Sequence, residues 1–335
     1  MARYLHAHRP TPRVSGPPLS QHFLRDPAVA RDLVSRLHLA RGSLVVEPGP
    51  GRGAITAALV DQGYRVFAVE KDARLRTALR AHFGGHPGVE CHHGDILAWP
   101  LPRQPYAVVS NVPFAITADL VRRLLDAGRQ PEEALLIVQQ EAAERFTGHP
   151  RQTRLALLHL PWSDLRVERA YRRTDFDPPP SVDCVLLRID RRAQPLLPLS
   201  RQADWQAFVE RAFGSRRQEA RDSLRLFFTE RQVVRFARDF RFDRRARPSE
   251  IPFGAWLAMF RFHTQGRFGA APEHCRYRNR SFSAGRISID VAASSDAVYS
   301  VPRTMATGTR ASLPCTSSAA AASSSTTAIC VTRSS

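Results

Sequence analysis

The sequence predicts an α/β fold with an open, mainly parallel sheet covered by helices on both faces, followed by a small all-helical domain. Three observations predict this architecture. Short β-like runs alternate with amphipathic helical patterns over the first part of the chain. A segment with two prolines, Asp190 to Ser200, then reads as a linker. Beyond it the apolar residues recur only at helical spacing, so the last ordered part is predicted to contain three or four helices.

The elements follow in order along the chain. Residues 1–20 are basic and proline-rich and predict a flexible arm. Asp26 and Pro27 form a typical helix start, with Asp as the cap and Pro at the first helical position. The predicted strands are Ser43–Glu47, Arg65–Glu70, Val89–His92, Tyr106–Ser110 and Ala134–Gln139. The predicted helices lie near Ala54–Asp61, Ala73–His82, Thr117–Ala127 and Gln152–Leu160.

The domain boundaries follow from these elements. The α/β domain is predicted to span residues 21–192, with Val182–Ile189 as a candidate last strand, antiparallel at one side of the sheet. The helical domain spans 196–263. Residues 264–335 end in a stretch rich in Ala, Ser and Thr without apolar periodicity, which predicts a disordered tail.

Composition narrows the class of protein. The chain has 335 residues, enough for two domains, and 43% hydrophobic residues exclude wholesale disorder. We expect no membrane span, because no run of 18 apolar residues occurs, and no secretory signal. Five widely spaced cysteines without a C-x-x-C motif exclude a disulfide scaffold and the usual zinc spacings. A cytoplasmic location is therefore expected.

The formal net charge of +18 indicates a polyanionic partner. Lys71 is the only lysine, so nearly all the basic residues are arginines, whose guanidinium groups suit phosphate oxygens. A GC-rich genome would explain the ratio of Arg to Lys but not the net sign. Nucleic acid is favoured over an anionic membrane. The helical domain is dense in arginine and is expected to lack matching acids, which predicts an RNA-binding surface there.

A glycine-rich loop follows the first predicted strand of the α/β domain. Gly49, Gly51 and Ala54 fit the G-x-G-x-x-G/A pattern between a strand and a helix. Glycines at these positions allow a sharp turn and a close approach of the backbone to a ligand. The pattern alone is weak evidence, and a tight strand-to-helix turn without a ligand also explains it.

Acids at neighbouring strand ends strengthen the prediction of a cofactor. Glu70 ends the second predicted strand, Asp95 follows the third and Asn111 follows the fourth. In an open parallel sheet these positions converge with Gly49 on one crevice. A carboxylate there can accept hydrogen bonds from ribose hydroxyls or from an adenine amine. This set suits NAD or S-adenosylmethionine (SAM).

The turn after the fourth strand favours SAM. Pro113 fixes a rigid turn that presents the Asn111 side chain, the Val112 carbonyl and the Phe114 ring. Two acceptors beside an aromatic face match a planar base with an exocyclic amine, since the amine donates two hydrogen bonds and the ring stacks. Acceptors on both N–H groups favour a pyramidal nitrogen with an available lone pair. Hydride transfer has no use for this arrangement, whereas methyl transfer from a sulfonium needs little beyond alignment.

These motifs resemble those of the ribosomal RNA adenine N6-methyltransferases. The resemblance covers about residues 18–262 and rests on Gln21-His22-Phe23-Leu24, Glu47 to Gly53, Glu70, Gly94-Asp95 and Asn111 to Phe114. It is strongest with the macrolide-resistance (Erm) branch, because the chain is arginine-rich and has Phe at 114, where the housekeeping branch usually has Tyr. The resemblance implies a Rossmann-like SAM-dependent methyltransferase sheet over residues 21–192 and an RNA-binding helical domain over 196–263.

The resemblance also implies roles for individual residues. The SAM contacts fall on His22, Leu24, Gly49, Glu70, Asp95 and Asn111, with Gly51 in the same glycine loop. His22 departs from the Asn that is common at its position. Asn111 would hold the amine of the target adenine on the turn fixed by Pro113, and Phe114 would stack on the base, which makes these three the catalytic set. The segment Phe176 to Asp183 resembles the family's loop over the site.

The implied reaction is N6-methylation of an adenine in 23S rRNA, in the large subunit or its precursor, giving resistance to macrolide, lincosamide and streptogramin B drugs. A monomer is expected. Alternatives are the housekeeping small-subunit (16S) dimethyladenosine transferase, a non-enzymatic RNA-binding relative and an NAD oxidoreductase, which would lack a visible proton donor. No metal is expected, because neighbouring residues in Cys91-His92-His93 point to opposite faces of a strand.

Overall fold

The computed structural model describes residues 22–126, 128, 130–213 and 219–265. The predicted arm and the predicted tail from residue 266 onward lie outside these residues. The strands of the described part are β1 (Phe23–Leu24), β2 (Leu44–Pro48), β3 (Arg65–Glu70), β4 (Val89–His93), β5 (Tyr106–Asn111), β6 (Glu133–Gln139), β7 (Ser163–Tyr171), β8 (Phe176–Asp177) and β9 (Cys184–Arg191). The α-helices are α1 (Pro27–Ser35), α2 (Ala54–Asp61), α3 (Ala73–Phe83), α4 (Thr117–Asp126), α5 (Gln140–Thr147), α6 (Arg154–His159), α7 (Gln202–Phe213), α8 (Ala220–Leu224), α9 (Glu230–Phe240) and α10 (Phe253–Gln265).

Seven of these strands form one sheet in the order β4-β3-β2-β5-β6-β9-β7. The first five are parallel, β9 pairs antiparallel with β6, and β7 pairs antiparallel with β9. The predicted parallel sheet with a final antiparallel strand is confirmed. The strand order reverses between β2 and β5, and open sheets of this kind bind ligands at such a switch point, beyond the carboxyl ends of the strands.

Local sequence explains most of the elements. Asp26 caps α1 by accepting a hydrogen bond from the backbone N–H of Ala28 at 2.7 Å, and Pro27 begins the helix, as predicted. Leu33 and Val34 on its inner face are fully buried. In β2, Val45 faces the core on one side of the sheet and Val46 the core on the other, because successive strand residues alternate. Helices therefore cover both faces of this sheet.

Four elements escaped the sequence analysis: helix α5, the edge strand β7 and the two-residue strands β1 and β8. Strand β7 reads as polar because Asp164, Arg166 and Glu168 alternate with its apolar residues. In the structure Arg166 bonds both Asp164 and Asp190, at 2.8 Å and 2.7 Å. Charged residues are common on edge strands, where they discourage pairing with other chains. Strand β9, predicted at one side, lies inside the sheet because β7 covers it.

The helices after residue 200 surround their own apolar core. Trp205, Phe208 and Trp256 pack at its centre, and Trp205 and Trp256 are fully buried. The indole N–H of Trp205 donates to the carbonyl of Leu157 at 2.7 Å, which ties α7 to α6. Helix α10 includes Thr264 and Gln265, which the sequence analysis assigned to the tail. None of the described helices is both long and apolar enough to cross a bilayer.

The expected lack of acids beside the helical-domain arginines is wrong. Glu230 pairs with both Arg225 and Arg244, at 3.0 Å and 2.8 Å. Asp239 pairs with both Arg235 and Arg238. One turn of α9 joins Arg235 to Asp239, whereas Arg225 and Arg244 reach Glu230 from outside that helix, and a linear reading missed these pairs. Each of these two acids serves two arginines, however, and residues 196–263 contain fourteen arginines against eight acids. A basic excess remains.

Candidate active site

An open cleft lies where the carboxyl ends of β2 and β5 meet. It combines the glycine-rich loop, the turn after β5 and the chain segment before α1. The residues that line it are His22, Phe23, Leu24, Glu47, Gly49, Pro50, Gly51, Arg52, Ala54, Ile55, Asn111, Val112, Pro113 and Phe114. Seven of the predicted site residues are therefore brought together here: His22, Leu24, Gly49, Gly51, Asn111, Pro113 and Phe114.

The loop between β2 and α2 requires its glycines. Gly49, Gly51 and Gly53 have φ angles of 62°, 55° and 82°, a left-handed conformation that residues with a Cβ rarely adopt. A Cβ on Gly51 would lie 2.6 Å from Cε1 of Phe23. The loop therefore passes directly beneath the Phe23 ring, and the backbone forms one wall of the cleft.

Glu70 lies at the end of β3 and supports this loop from the side. It is only 3% exposed. Its Oε2 accepts a hydrogen bond from the N–H of Gly51 at 3.2 Å, and its Oε1 accepts one from the N–H of Asp72 at 2.9 Å. Glu70 is not among the cleft-lining residues, but its contact with Gly51 places it against the glycine loop.

Asp95 follows β4, one strand further along the sheet edge. Its Oδ2 accepts a hydrogen bond from Nζ of Lys71 at 2.9 Å and its Oδ1 accepts one from the N–H of Leu97 at 2.9 Å. The Lys71 ammonium, with help from the Leu97 N–H, lowers the pKa of this carboxyl. Asp95 does not line the cleft. It belongs to the same row of strand ends, which runs Asp95, Glu70, Gly49, Asn111 in the spatial order of the sheet.

The turn after β5 holds the Asn111 amide in a defined orientation. Nδ2 of Asn111 donates to the backbone carbonyl of His22 at 2.5 Å. A carbonyl can only accept, so this contact assigns the amide nitrogen and leaves Oδ1 as an acceptor. The N–H of Val112 donates to the carbonyl of Ile137 and fixes the turn to β6. The Pro113 ring lies 3.8 Å from the position of a Cβ on Gly49, so the turn and the glycine loop face each other closely.

His22 connects three parts of the site. Its ring lies 5.1 Å from the Phe114 ring, centroid to centroid, at an interplanar angle of 33°. Its Nδ1 is 2.7 Å from the carbonyl of Pro178, so Nδ1 carries a proton and donates it. The next residues, Phe23 and Leu24, pair antiparallel with Asp177 and Phe176 as the β1–β8 ribbon. The segment predicted to lie over the site, Phe176 to Asp183, thus begins with a short strand that pairs with cleft-lining residues.

Glu47 is a cleft-lining residue to which the sequence analysis gave no role. It is 1% exposed, and its Oε2 accepts a hydrogen bond from Oγ1 of Thr56 at 2.6 Å. Burial raises the pKa of this carboxyl to about 8, so it is mainly uncharged at neutral pH. A signal for it was present, since Glu47 is a carboxylic acid at the end of the otherwise apolar strand Leu44–Pro48.

The pKa of Glu47 predicts a pH-dependent effect of Glu47→Gln on stability. In the unfolded chain the carboxyl ionises near its ordinary pKa of 4.5, but in the folded protein only near 8. Between these values the folded state binds more protons, so wild-type stability falls as pH rises. The amide cannot ionise and keeps an acceptor for Thr56. We expect the free energy of unfolding of the variant, relative to that of wild type, to rise as the pH rises from 4.5 to about 8. The rise is at most about 1.4 kcal/mol for each unit by which the folded and unfolded pKa values differ.

Denaturant unfolding of both proteins at pH 5, 6.5 and 8.5 measures this difference. A constant difference across the three pH values would contradict a buried, protonated Glu47.

The Cys91-His92-His93 segment shows the alternation expected of a strand. Cys91 packs against the core that contains Val45, whereas the His92 ring contacts Phe67 and Trp99 on the other side. Within the part of the chain that the structure describes, no group of three or more His, Cys, Asp or Glu side chains is arranged to hold a metal ion.

Comparison with known proteins gives a matching family model and several similar relatives. A family model described as "Ribosomal RNA adenine dimethylase" matches residues 17–265. An rRNA adenine N-6-methyltransferase of Streptomyces fradiae is 37% identical over 246 residues, which cover 72% of this chain and 77% of that protein. The mycinamicin-resistance protein MyrB of Micromonospora griseorubida is 34% identical over 84% of this chain and 90% of that protein.

A solved structure is similar over the same region. The crystal structure of the 23S rRNA methyltransferase ErmE superposes with a TM-score of 0.66 at 30% sequence identity, covering 71% of this chain and 98% of that chain.

Proposed function

The chain belongs to the ribosomal RNA adenine dimethylase family, and on this premise we propose that it methylates N6 of one adenine in 23S rRNA with SAM as methyl donor. The observation that carries the proposal is the convergence of the glycine loop and the Asn111–Phe114 turn on one cleft. Similarity to a mycinamicin-resistance protein and to a 23S rRNA methyltransferase supports a role in resistance to macrolide, lincosamide and streptogramin B drugs.

The cleft fits SAM. The left-handed φ angles of Gly49 and Gly51 let the loop turn sharply and form a wall of backbone along the cleft. Glu70, at the next strand end, would hold the ribose hydroxyls, and Asp95 at the following one would accept from the adenine amine. His22 and Leu24 would cover the cofactor from the β1–β8 ribbon. SAM supplies a methyl group activated by the positive charge on sulfur, so alignment is most of what the protein must provide.

The turn after β5 would bind the target adenine. Oδ1 of Asn111 and the carbonyl of Val112 would accept the two N–H bonds of the exocyclic amine, which makes the nitrogen lone pair available for attack. Pro113 keeps these acceptors in place. Phe114 would stack on the base, and stacking of a base on an aromatic ring contributes about 1–3 kcal/mol. The base must first leave its stack in the RNA, at a cost of a few kcal/mol that arginine–phosphate contacts offset.

Substitution of Gly51 by Ala tests the cofactor part of the proposal. The left-handed φ of 55° and the contact with Phe23 make an added methyl group doubly unfavourable. Gly42→Ala is a matched control, because Gly42 has a φ of 84° but no atom within 4 Å of an added Cβ. We expect Gly42→Ala to lose about 1–2 kcal/mol of stability from backbone strain, and Gly51→Ala to lose more because its added Cβ also meets the Phe23 ring. Only Gly51→Ala should also lose SAM affinity, by about tenfold or more.

Thermal unfolding and calorimetric titration with SAM measure the two effects. Equal SAM affinity in the two variants would show that the glycine loop is not the cofactor wall.

The choice of RNA is tested by transfer of labelled methyl groups from SAM to purified ribosomal particles. Protein-free 23S rRNA, large subunits, 16S rRNA and small subunits are offered separately, and modified positions are mapped by primer extension. We expect 23S rRNA to be methylated at one adenine and the small-subunit substrates to remain unlabelled. Labelling of the small-subunit RNA alone would identify the housekeeping activity instead. Binding of RNA without transfer would identify a non-enzymatic relative.

A further inference from the structure

The Arg52 side chain lies at the rim of the cleft, and the roles proposed above leave it unused. It follows Gly51 in the glycine loop and is 48% exposed. Of the fourteen described residues that line the cleft, Arg52 alone carries a permanent positive charge. A fixed cation in a small-molecule cleft favours a ligand with a negatively charged group.

The guanidinium group is held in a defined orientation. Its Cζ lies 4.4 Å from the centroid of the Phe23 ring. The Phe23 ring in turn rests against the backbone of Gly51, where a Cβ would approach within 2.6 Å. An arginine stacked on an aromatic ring keeps its N–H groups in the guanidinium plane available, and this planar array matches the two oxygens of a carboxylate.

The present partner of Arg52 is easily exchanged. Its Nη1 donates to Oδ2 of Asp177 at 3.2 Å, and the Asp177 side chain is 50% exposed. A half-exposed ion pair of this kind contributes about 1 kcal/mol or less. A carboxylate of a bound ligand can therefore replace Asp177 at little cost, and Asp177 shows that this guanidinium accepts a carboxylate partner.

The row of strand ends indicates which carboxylate this would be. In the proposed function the adenine of SAM lies toward Asp95 and the ribose toward Glu70. Transfer of the methyl group to a base held at Asn111 then requires the sulfonium to lie between Gly49 and Asn111. The part of SAM that remains is its methionine end, which bears the molecule's only carboxylate. The part of the cleft that remains is the wall formed by Phe23, Leu24 and Arg52.

We propose that Arg52 binds the carboxylate of the methionine moiety of SAM, which replaces the Asp177 carboxylate as the partner of the Arg52 guanidinium group. This inference rests on the proposed use of SAM. It gives the arginine of the Gly51-Arg52-Gly53 segment a direct role in cofactor binding, and it assigns Asp177 the role of a competing anion that occupies the arginine before the cofactor arrives.

Calorimetric titration with SAM and with decarboxylated SAM tests the proposal, because the second compound lacks only the carboxylate. Wild type is expected to bind SAM about tenfold more tightly than the decarboxylated compound, a size typical of a charge-assisted contact at a half-exposed position. In Arg52→Gln, the affinity for SAM should fall about tenfold while that for decarboxylated SAM stays the same. An equal loss for both ligands, or no loss for SAM, would overturn the proposal.

Two further variants complete the test. Asp177→Asn should tighten SAM binding about two- to threefold without affecting decarboxylated SAM, and weaker SAM binding would contradict the exchange. Arg225→Gln removes one positive charge from an arginine that is 56% exposed and paired with Glu230. It should leave SAM binding unchanged, and a loss equal to that of Arg52→Gln would assign the effect to net charge. Failure of wild type to bind either ligand would instead refute the proposed use of SAM.

Discussion

Replacement of Asn111 by Ala is expected to reduce methyl transfer by about a thousandfold or more, while SAM binding weakens only moderately. The large effect on transfer follows from the role of Oδ1 as an acceptor for the adenine amine, which no neighbouring side chain can take over in the same position. The moderate effect on SAM follows from the lost contact between Nδ2 and the carbonyl of His22. That contact holds the β1–β8 ribbon, which covers one side of the cleft.

Single-turnover transfer at saturating SAM and RNA separates these two effects. Calorimetric titration with SAM on the same preparation shows that the variant is folded and binds its cofactor. Wild-type transfer rates in Asn111→Ala would refute the role of this side chain, and the adenine amine would then have to be held elsewhere.

Replacement of Phe114 by Ala is expected to reduce transfer by about 10- to 100-fold, the loss expected from removing a base-stacking aromatic ring. The ring is partly exposed at the cleft and is held on one side by His22, 5.1 Å away. The ring is expected to stack on the RNA base and not on the cofactor. We therefore expect the Michaelis constant for RNA to rise and the transfer rate to fall, with SAM affinity unchanged.

Phe114→Tyr is the matched control, because it keeps the aromatic face and adds only a hydroxyl group. We expect it to retain activity within a few-fold of wild type. If Phe114→Ala kept full activity, or if Tyr were as damaging as Ala, the ring would be acting as ordinary packing and not as a stacking surface for a base.

Sequence patterns were sufficient to predict the strands and helices whose own residues show an apolar run or a turn-forming glycine. The strands β2 to β6 begin and end within one residue of their predicted bounds, and β3 and α2 match them at both ends. Apolar runs and glycine positions report on local conformation, and parallel pairing places the strand ends in one row. This is why Gly49, Gly51 and Asn111 could be assigned to one site before any contact was known.

Contacts between distant segments could not be predicted in the same way. The β1–β8 ribbon pairs Phe23 with Asp177 through strands of only two residues, which are too short for a periodic signal. The pairing of Arg52 with Asp177 depends on that ribbon. The arginine pairs of Glu230 and Asp239 depend on the turn of a helix and on loop positions. The raised pKa of Glu47 depends on how deeply the side chain is buried. The sequence shows only an acid in an apolar strand and does not give that depth.

The central claim is that the turn after β5 holds an adenine so that its N6 receives the methyl group. It is tested most directly by incubating 23S rRNA with labelled SAM, digesting the RNA to nucleosides and identifying the labelled product by mass spectrometry. We expect the label to reside on N6 of adenosine with wild type and to disappear with Asn111→Ala. Label on another base, on ribose or on another atom of adenine would contradict it.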